Sequence, residues 1–147
     1  MQMGPEEMLR EATIIAARLA AGRAARPIVF ISDRPSLLTA PLVGVGEHLS
    51  SQGHTVSLVG DDGNLPYSGE ALFREAKGTS QVRLLLVPEI NELDLGTLAK
   101  LLDDLYQAAR EGLPIGCLAA GSPATLKMMG DLREFAESLI QFKSARV

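Results

Sequence analysis

The chain has 147 residues, a formal net charge of −4 at neutral pH and a single cysteine. This length predicts one domain with a substantial core. The negative balance provides no basic surface for nucleic acid or an anionic membrane, and one cysteine excludes an internal disulfide and a cysteine-based zinc site. No stretch resembles a membrane span, and the acidic N-terminus is unlike a secretory signal. We therefore expect a cytoplasmic protein that binds neither nucleic acid nor membrane.

Residues 6–25 have the pattern of an amphipathic helix that precedes the rest of the fold. Its apolar residues share one face: Met8, Leu9, Ala12, Ile15, Ala16, Leu19 and Ala20. Two interpretations are open. The face packs on the domain or on another copy in a homo-oligomer, or it docks in a groove of a protein partner. We predict an N-terminal helix over residues 1–25 and a single α/β domain over residues 26–147.

From residue 27 onward, short apolar runs alternate with helical patterns. The predicted strands cover residues 27–31, 54–59, 82–87 and 113–120, and the predicted helices cover residues 40–52, 69–77, 95–111 and 123–142. This alternation predicts a three-layer α/β fold of the flavodoxin or Rossmann type, with a mainly parallel sheet of four or more strands and the extra N-terminal helix. The expected strand order is 2-1-3-4, with a ligand crevice over the first and third strands.

The helix over residues 95–111 is the most clearly amphipathic one. Its predicted buried arc comprises Leu95, Leu98, Ala99, Leu101, Leu102, Leu105, Tyr106 and Ala109. Asp104 falls on the opposite, polar side. Gly112 is placed to end this helix before the next strand.

The segment after the first predicted strand is a candidate phosphate site. Ser32, Ser36 and Thr39 offer hydroxyl groups before a helix N-terminus, and Arg34 adds positive charge. Thr39 is the predicted N-cap, because Pro41 fits only the first turn of a helix. The alternative is a solvated turn in which Ser and Asp side chains cap backbone amides. Both interpretations remain open.

Other motifs carry weaker signals. Gly44 and Gly46 lie inside a predicted helix and lack the third glycine of a dinucleotide fingerprint, so they more simply allow close packing on the sheet. Asp61 and Asp62 are placed to bind a ribose hydroxyl or magnesium, although a loop-forming role is favoured. Cys117 is predicted to be inert packing, and no metal site is expected.

Three segments resemble a known family. Leu86-Val87-Pro88, residues 97–101 and residues 108–115 are similar to flavoproteins related to homo-oligomeric flavin-containing cysteine decarboxylases, including the microcompartment-associated type. Members bind FMN with the loops after the first, third and fourth strands, often between subunits. The resemblance implies that a homo-oligomer holds the flavin ring near Pro88, Glu89 and Asn91 and near Ala120, Gly121 and Ser122. It also implies that Thr97, which opens the following helix, binds the cofactor.

This chain departs from the family at Gly96, where relatives have asparagine, and no histidine occupies a catalytic position. We therefore expect an FMN-binding protein with a redox or accessory role but without decarboxylase activity, and we assign no catalytic residue. The alternative is a cofactor-free interaction module that assembles through its N-terminal helix and an oligomer interface.

Overall fold

Parallel strand pairing organises the middle of the molecule. The computed structural model describes residues 5–23, 25–59, 69–77, 81–125, 127 and 141–144. Its five strands are β1 (Ile28–Ile31), β2 (Thr55–Leu58), β3 (Arg83–Val87), β4 (Ile115–Gly121) and β5 (Gln141–Ser144). They form one sheet in the order β2-β3-β4-β1-β5, and every neighbouring pair is parallel. The predicted α/β class with a parallel sheet is confirmed.

Helices cover both faces of this sheet. They are α1 (Pro5–Ala20), α2 (Thr39–Ser51), α3 (Gly69–Ala76) and α4 (Leu95–Glu111). Ile28 and Phe30 point to the core under α1 and α2, whereas Val29 between them points to the core under α3 and α4. This alternation along β1 gives the predicted three layers. Within the described residues, no helix has the length and apolar character to cross a bilayer.

The predicted strand order is wrong. Among the described strands, β1 pairs with β4 and β5 rather than with β2, and β2 lies at an edge of the sheet beside β3. The edge position agrees with the half-exposed pattern of β2. Local patterns specify that a strand forms, but they carry no information about which distant strand lies beside it, so the order was not accessible from the sequence.

The predicted final helix is wrong at its end. Residues 141–144 form β5, which pairs along the whole of β1, whereas the prediction extended the helix to Phe142. A four-residue strand is too short to show a period of its own. A helix does begin at Pro123, as predicted. The rest of that prediction, residues 128–140, lies outside the described residues, as do Asp61 and Asp62.

The N-terminal helix packs on its own domain. Its buried residues are Met8, Ala12, Ile15, Ala16 and Leu19. Two of them lie against β4 at Gly116, where an added Cβ would stand 2.7 Å from Leu19 Cδ1 and 3.1 Å from Ile15 Cγ2. The interpretation in which the apolar face covers the domain is confirmed. The helix ends at Ala20 rather than at residue 25, because Gly22 at φ 78° reverses the chain.

Helix α4 is rotated slightly from the predicted arc. Asp104 is only 5% exposed although it was assigned to the polar side, and Ala108 is buried while Tyr106 and Ala109 are exposed. The cause is tertiary: the Asp104 carboxylate lies against Gly69 at the start of α3, and it also accepts a hydrogen bond from Lys100 Nζ of its own helix at 3.0 Å. Periodicity along α4 alone cannot detect the contact with α3. Gly112 ends the helix at φ 70°, as predicted.

The two glycines of α2 have different roles. An added Cβ at Gly46 would overlap Leu86 Cδ1 and lie 3.3 Å from Val56 Cγ1, whereas one at Gly44 would meet no described residue within 4 Å. Leu86 is itself fully buried and has little room to move. The predicted close packing on the sheet is therefore confirmed at Gly46 only.

This difference predicts opposite effects of the same substitution in one helix. Gly44→Ala should raise the free energy of unfolding by about 0.5–1 kcal/mol, because alanine favours the helix. Gly46→Ala should lower it by about 1–2 kcal/mol, because overpacking exceeds that gain. Urea denaturation of both variants provides the measurement. Equal effects at the two positions would contradict the packing described for Gly46.

Candidate functional site at the carboxyl edge of the sheet

The loops after β1, β3 and β4 lie side by side. We call them the carboxyl rim, defined as residues 32–38, 88–92 and 121–125. They are neighbours because β4 pairs with both β1 and β3, and because Ser32 N donates to Gly121 O at 3.0 Å. The expected crevice directly between β1 and β3 does not form, since β4 stands between them. The centre of the rim is therefore the turn at Gly121 and Ser122.

Ser32 serves the backbone of its own loop. Its Oγ accepts a hydrogen bond from the Arg34 backbone N–H at 3.1 Å, which is a short side-chain turn. The Arg34 and Ser36 side chains are exposed. This geometry corresponds to the alternative in which the polar residues after the first strand cap backbone amides.

The start of α2 differs from the prediction. Thr39 is not the N-cap: a 3₁₀ helix, Pro35–Leu38, runs directly into α2, and Leu38 precedes α2 in helical conformation without a side-chain cap. The Thr39 N–H therefore donates to the Ser36 carbonyl, and the Leu37 N–H donates to the Arg34 carbonyl at 3.0 Å. Pro35 begins this 3₁₀ helix, which the sequence analysis did not predict.

The loop after β3 is also a short 3₁₀ helix, Ile90–Glu92. Pro88 and Glu89 are half-buried, and Ile90 is buried beneath the loop after β4. Asn91 Nδ2 lies 3.4 Å from Glu92 Oε1, whereas its Oδ1 is buried and accepts no hydrogen bond from the part of the chain that the structure describes. Asn91 thus brings an unused acceptor to the rim.

Thr97 is engaged at the start of α4. Its backbone N–H donates to Asp94 Oδ1 at 2.8 Å, and its hydroxyl donates to Asp94 Oδ2 at 3.0 Å. These hydrogen bonds, the backbone one first, lower the pKa of the Asp94 carboxyl. Thr97 belongs to a helix cap, so both of its predicted ligand-facing groups already have a protein partner.

The loop after β4 contains a polar group that the sequence analysis missed. Ala120 is buried in the core, and Gly121 pairs with Ile31. Thr125 is fully buried, and among the described residues its hydroxyl has no hydrogen-bond partner, although its backbone N–H donates to Ser122 O at 2.9 Å. Its position in the first turn of the helix predicted to begin at residue 123 was the available signal. An unpaired buried hydroxyl is unfavourable unless something binds it.

The charged residues of the rim are mainly acidic. The rim contains three acidic residues, Asp33, Glu89 and Glu92, and one basic residue, Arg34. No cluster of three or more metal-ligating residues occurs in the part of the chain that the structure describes. Burial raises the pKa of the Cys117 thiol in β4 to about 12, so this residue is not a nucleophile at neutral pH. The rim offers hydrogen-bonding groups rather than an assembled catalytic set.

The Asp94 cap predicts a pH effect on stability. A carboxyl whose pKa is lowered on folding stabilises the protein above its unfolded pKa near 3.8, and this contribution is lost as the pH falls through the folded value. Between pH 7 and pH 3, the wild type should therefore lose more stability than Asp94→Asn, which keeps a capping oxygen without the charge.

Thermal unfolding at both pH values measures this effect. Asp94→Ala serves as the control, because it loses the cap and should be less stable than Asp94→Asn at pH 7. An identical pH response of wild type and Asp94→Asn would show that the carboxylate does not titrate with folding.

The unpaired hydroxyl predicts that Thr125→Val stabilises the protein. Valine has the same shape and removes a buried polar group, so the free energy of unfolding should rise by about 1 kcal/mol. Thr125→Ser, which retains the hydroxyl and loses the methyl group, should lower it by about 1 kcal/mol. Denaturant titration of both variants and the wild type measures these changes in the free energy of unfolding. A loss of stability in Thr125→Val would mean that the hydroxyl has a bound partner in solution.

Three solved structures share this fold. The structure of Drosophila ORC bound to AT-rich DNA and Cdc6 matches with a TM-score of 0.68 and 10% identity, covering 96% of this chain and 28% of that chain. The Aeropyrum pernix ORC2 protein in its ADP form gives 0.56 and 19% identity, with 95% and 47% covered. Rif2 in complex with the C-terminal domain of Rap1 gives 0.54 and 7% identity, with 93% and 52% covered.

The chain spans about half or less of each of these larger chains. No family model and no curated protein matches it. At such identities the likeness to the solved structures concerns the fold alone.

Proposed function

We propose that this protein is a cofactor-free assembly module that binds a protein partner at the carboxyl rim. The observation that carries the proposal is that helical backbone, rather than an open loop, joins β1 to α2. The 3₁₀ helix Pro35–Leu38 occupies the place where a phosphate-binding loop joins a strand to a helix. The rim then serves as a recognition surface instead of a nucleotide pocket.

Phosphate sites of this type need flexible backbone with free amides. The P-loop reads G-x-x-x-x-G-K-[ST], and its glycines let successive N–H groups surround the phosphate. Residues 32–39 contain neither glycine nor lysine. The backbone N–H groups of Arg34, Leu37 and Thr39 are already bonded inside the loop. A phosphate would have to break these bonds and approach an acidic rim, which opposes its binding.

Leu37 is the proposed anchor for the partner. The 3₁₀ helix holds this side chain outward, with 48% of it exposed, while the next residue, Leu38, is fully buried. Burying the exposed part of Leu37 in an apolar pocket of a partner would contribute about 1 kcal/mol. Arg34 and Asp33 beside it supply charges of both signs, which would orient the contact.

Proteins of the same fold support an assembly role. ORC is described in complex with DNA and Cdc6, and Rif2 with the C-terminal domain of Rap1. The net charge of −4 favours a protein over a nucleic acid as the partner of this chain. The proposed module would thus use the α/β core as a rigid support for a binding surface.

A second candidate is the FMN-binding protein implied by the resemblance to flavoproteins. It is favoured by one observation: the loops after β1, β3 and β4 share one edge of the sheet. Ser122 and the unpaired Asn91 Oδ1 would then face the flavin, and a redox or accessory role would follow. The bonded backbone N–H groups of Arg34, Leu37 and Thr39 make this candidate the weaker one.

A ligand titration followed by a binding experiment separates the two candidates. Purified protein should be colourless and should bind neither FMN nor ADP at about 1 mM by calorimetry, since no phosphate cradle is available. The tagged chain should retain a protein from lysate of its native source, and Leu37→Asp should reduce that capture at least about tenfold.

Leu58→Asp is the matched control, because Leu58 is also an exposed leucine, at 39%, but lies on the outer strand β2. It should leave capture unchanged. Stoichiometric binding of FMN with a yellow colour would overturn the proposal in favour of the second candidate. Equal loss of capture in both leucine variants would remove Leu37 as the anchor.

A further inference from the structure

Strand β2 leaves one of its edges open. It stands at the end of the sheet, and among the described residues β3 is the one strand that lies beside it. Ser57 and Leu58 in its second half are exposed, Leu58 at 39%. An open edge presents a row of backbone donors and acceptors, and a further extended strand is the partner that fits such a row.

The ladder to β3 shows which backbone groups of β2 face outward. The N–H groups of Thr55 and Val59 donate to carbonyls of β3 at 3.0 and 2.8 Å. Alternate residues of a strand turn their backbone groups to opposite sides, so Ser57, midway between these two, also faces β3. The N–H and C=O groups of Val56 and Leu58 therefore point away from the sheet. They form two donor and acceptor pairs, spaced two residues apart.

The side chains of this edge are compatible with a copy of themselves. Residues 55–59 read Thr-Val-Ser-Leu-Val and contain no charged residue and no proline. Natural edge strands are commonly protected from pairing by lysine, by proline or by a bulge. Pairing two identical strands would also bring any like charges close together, which is unfavourable. The edge of β2 has neither obstacle.

We propose that the outer edge of β2 pairs antiparallel with the same edge of a second copy of this chain, around a two-fold axis at Ser57. Val56 of each copy then exchanges two backbone hydrogen bonds with Leu58 of the other, which uses every outward group of both residues. Val56 and Leu58 lie on the same face of the sheet, so the exposed Leu58 side chain packs on Val56 of the second copy. The contact is isologous, and the assembly closes as a dimer.

The short length of β2 sets the strength of the dimer. Four residues from each copy bury well under the roughly 800 Å² per partner of a standard interface. We therefore expect a weak dimer, with a dissociation constant of about 10–100 μM. The strand lies outside the carboxyl rim, so the dimer holds or fails independently of what binds there.

A cysteine on the axis tests the register of the pair. The two Ser57 residues would face each other as a non-hydrogen-bonded pair with Cα atoms about 4.5 Å apart, within the range that a disulfide spans. Ser57→Cys should therefore give a covalent dimer under mild oxidation, seen by non-reducing electrophoresis. Thr55→Cys is the matched control, because it would lie about 14 Å from its counterpart and should stay monomeric. The native Cys117 is buried and should not react.

Sedimentation equilibrium from about 5 to 500 μM tests the pairing without a cross-link. The wild-type mass should rise with concentration from 15.7 kDa towards twice that value. Leu58→Pro removes an outward N–H and keeps the ladder to β3, so it should raise the dissociation constant at least about tenfold. Leu58→Val keeps the N–H and an apolar side chain, and it should stay within about twofold of the wild type. Circular dichroism verifies that both variants fold.

Three results would each overturn the proposal. They are a wild type that stays monomeric at about 500 μM, a folded Leu58→Pro variant that dimerises like the wild type, and a Ser57→Cys variant that cross-links no better than Thr55→Cys. If Leu58→Pro does not fold, the comparison of the two cysteine variants still tests the pairing.

Discussion

The pairing of β4 with a strand on each side is the constraint on which the other features depend. All seven residues of β4 are buried, and both of its edges carry parallel ladders, to β1 and to β3. Ile31 lies opposite Gly121, and Val87 lies opposite Ala119, so the strands on either side end at nearly the same level. The three loops of the carboxyl rim are consequently held together by the central backbone ladder, whatever their side chains do.

Small residues in β4 make this central position possible. Gly116 admits Leu19 and Ile15 of α1, and Gly121 admits Thr125 and Ile90. A larger residue at either position would push a helix or a loop away from the sheet. The same strand therefore fixes the distance of α1 on one face and the closeness of two rim loops at its end. The packing of α1 on the sheet and the arrangement of the rim loops therefore both depend on the small residues of β4.

Local features of the fold were accessible from the sequence, and long-range ones were not. The start of the last helix at Pro123 and the end of α4 at Gly112 follow from residues a few positions apart. The strand order, the existence of β5 and the burial of Asp104 depend on partners far away in the chain. At the rim, the position of the loops could be predicted, but the use of Ser32 could not, since its hydroxyl serves a ligand or its own backbone equally well. Thr125 was missed because its first-turn position also fits an ordinary helix start.

The place of β1 in the sheet has a consequence for the order of folding. Its two neighbours, β4 and β5, are separated from it by most of the chain. Such distant contacts slow folding, because a long loop must close, at a cost in chain entropy, before strand pairing can offset that cost. During synthesis, residues 28–31 emerge before either neighbour and remain unpaired until β4 and then β5 have left the ribosome. The nascent chain therefore carries an unpaired apolar strand while the residues between β1 and β4 are translated, a period in which a chaperone that binds extended apolar segments would find its target.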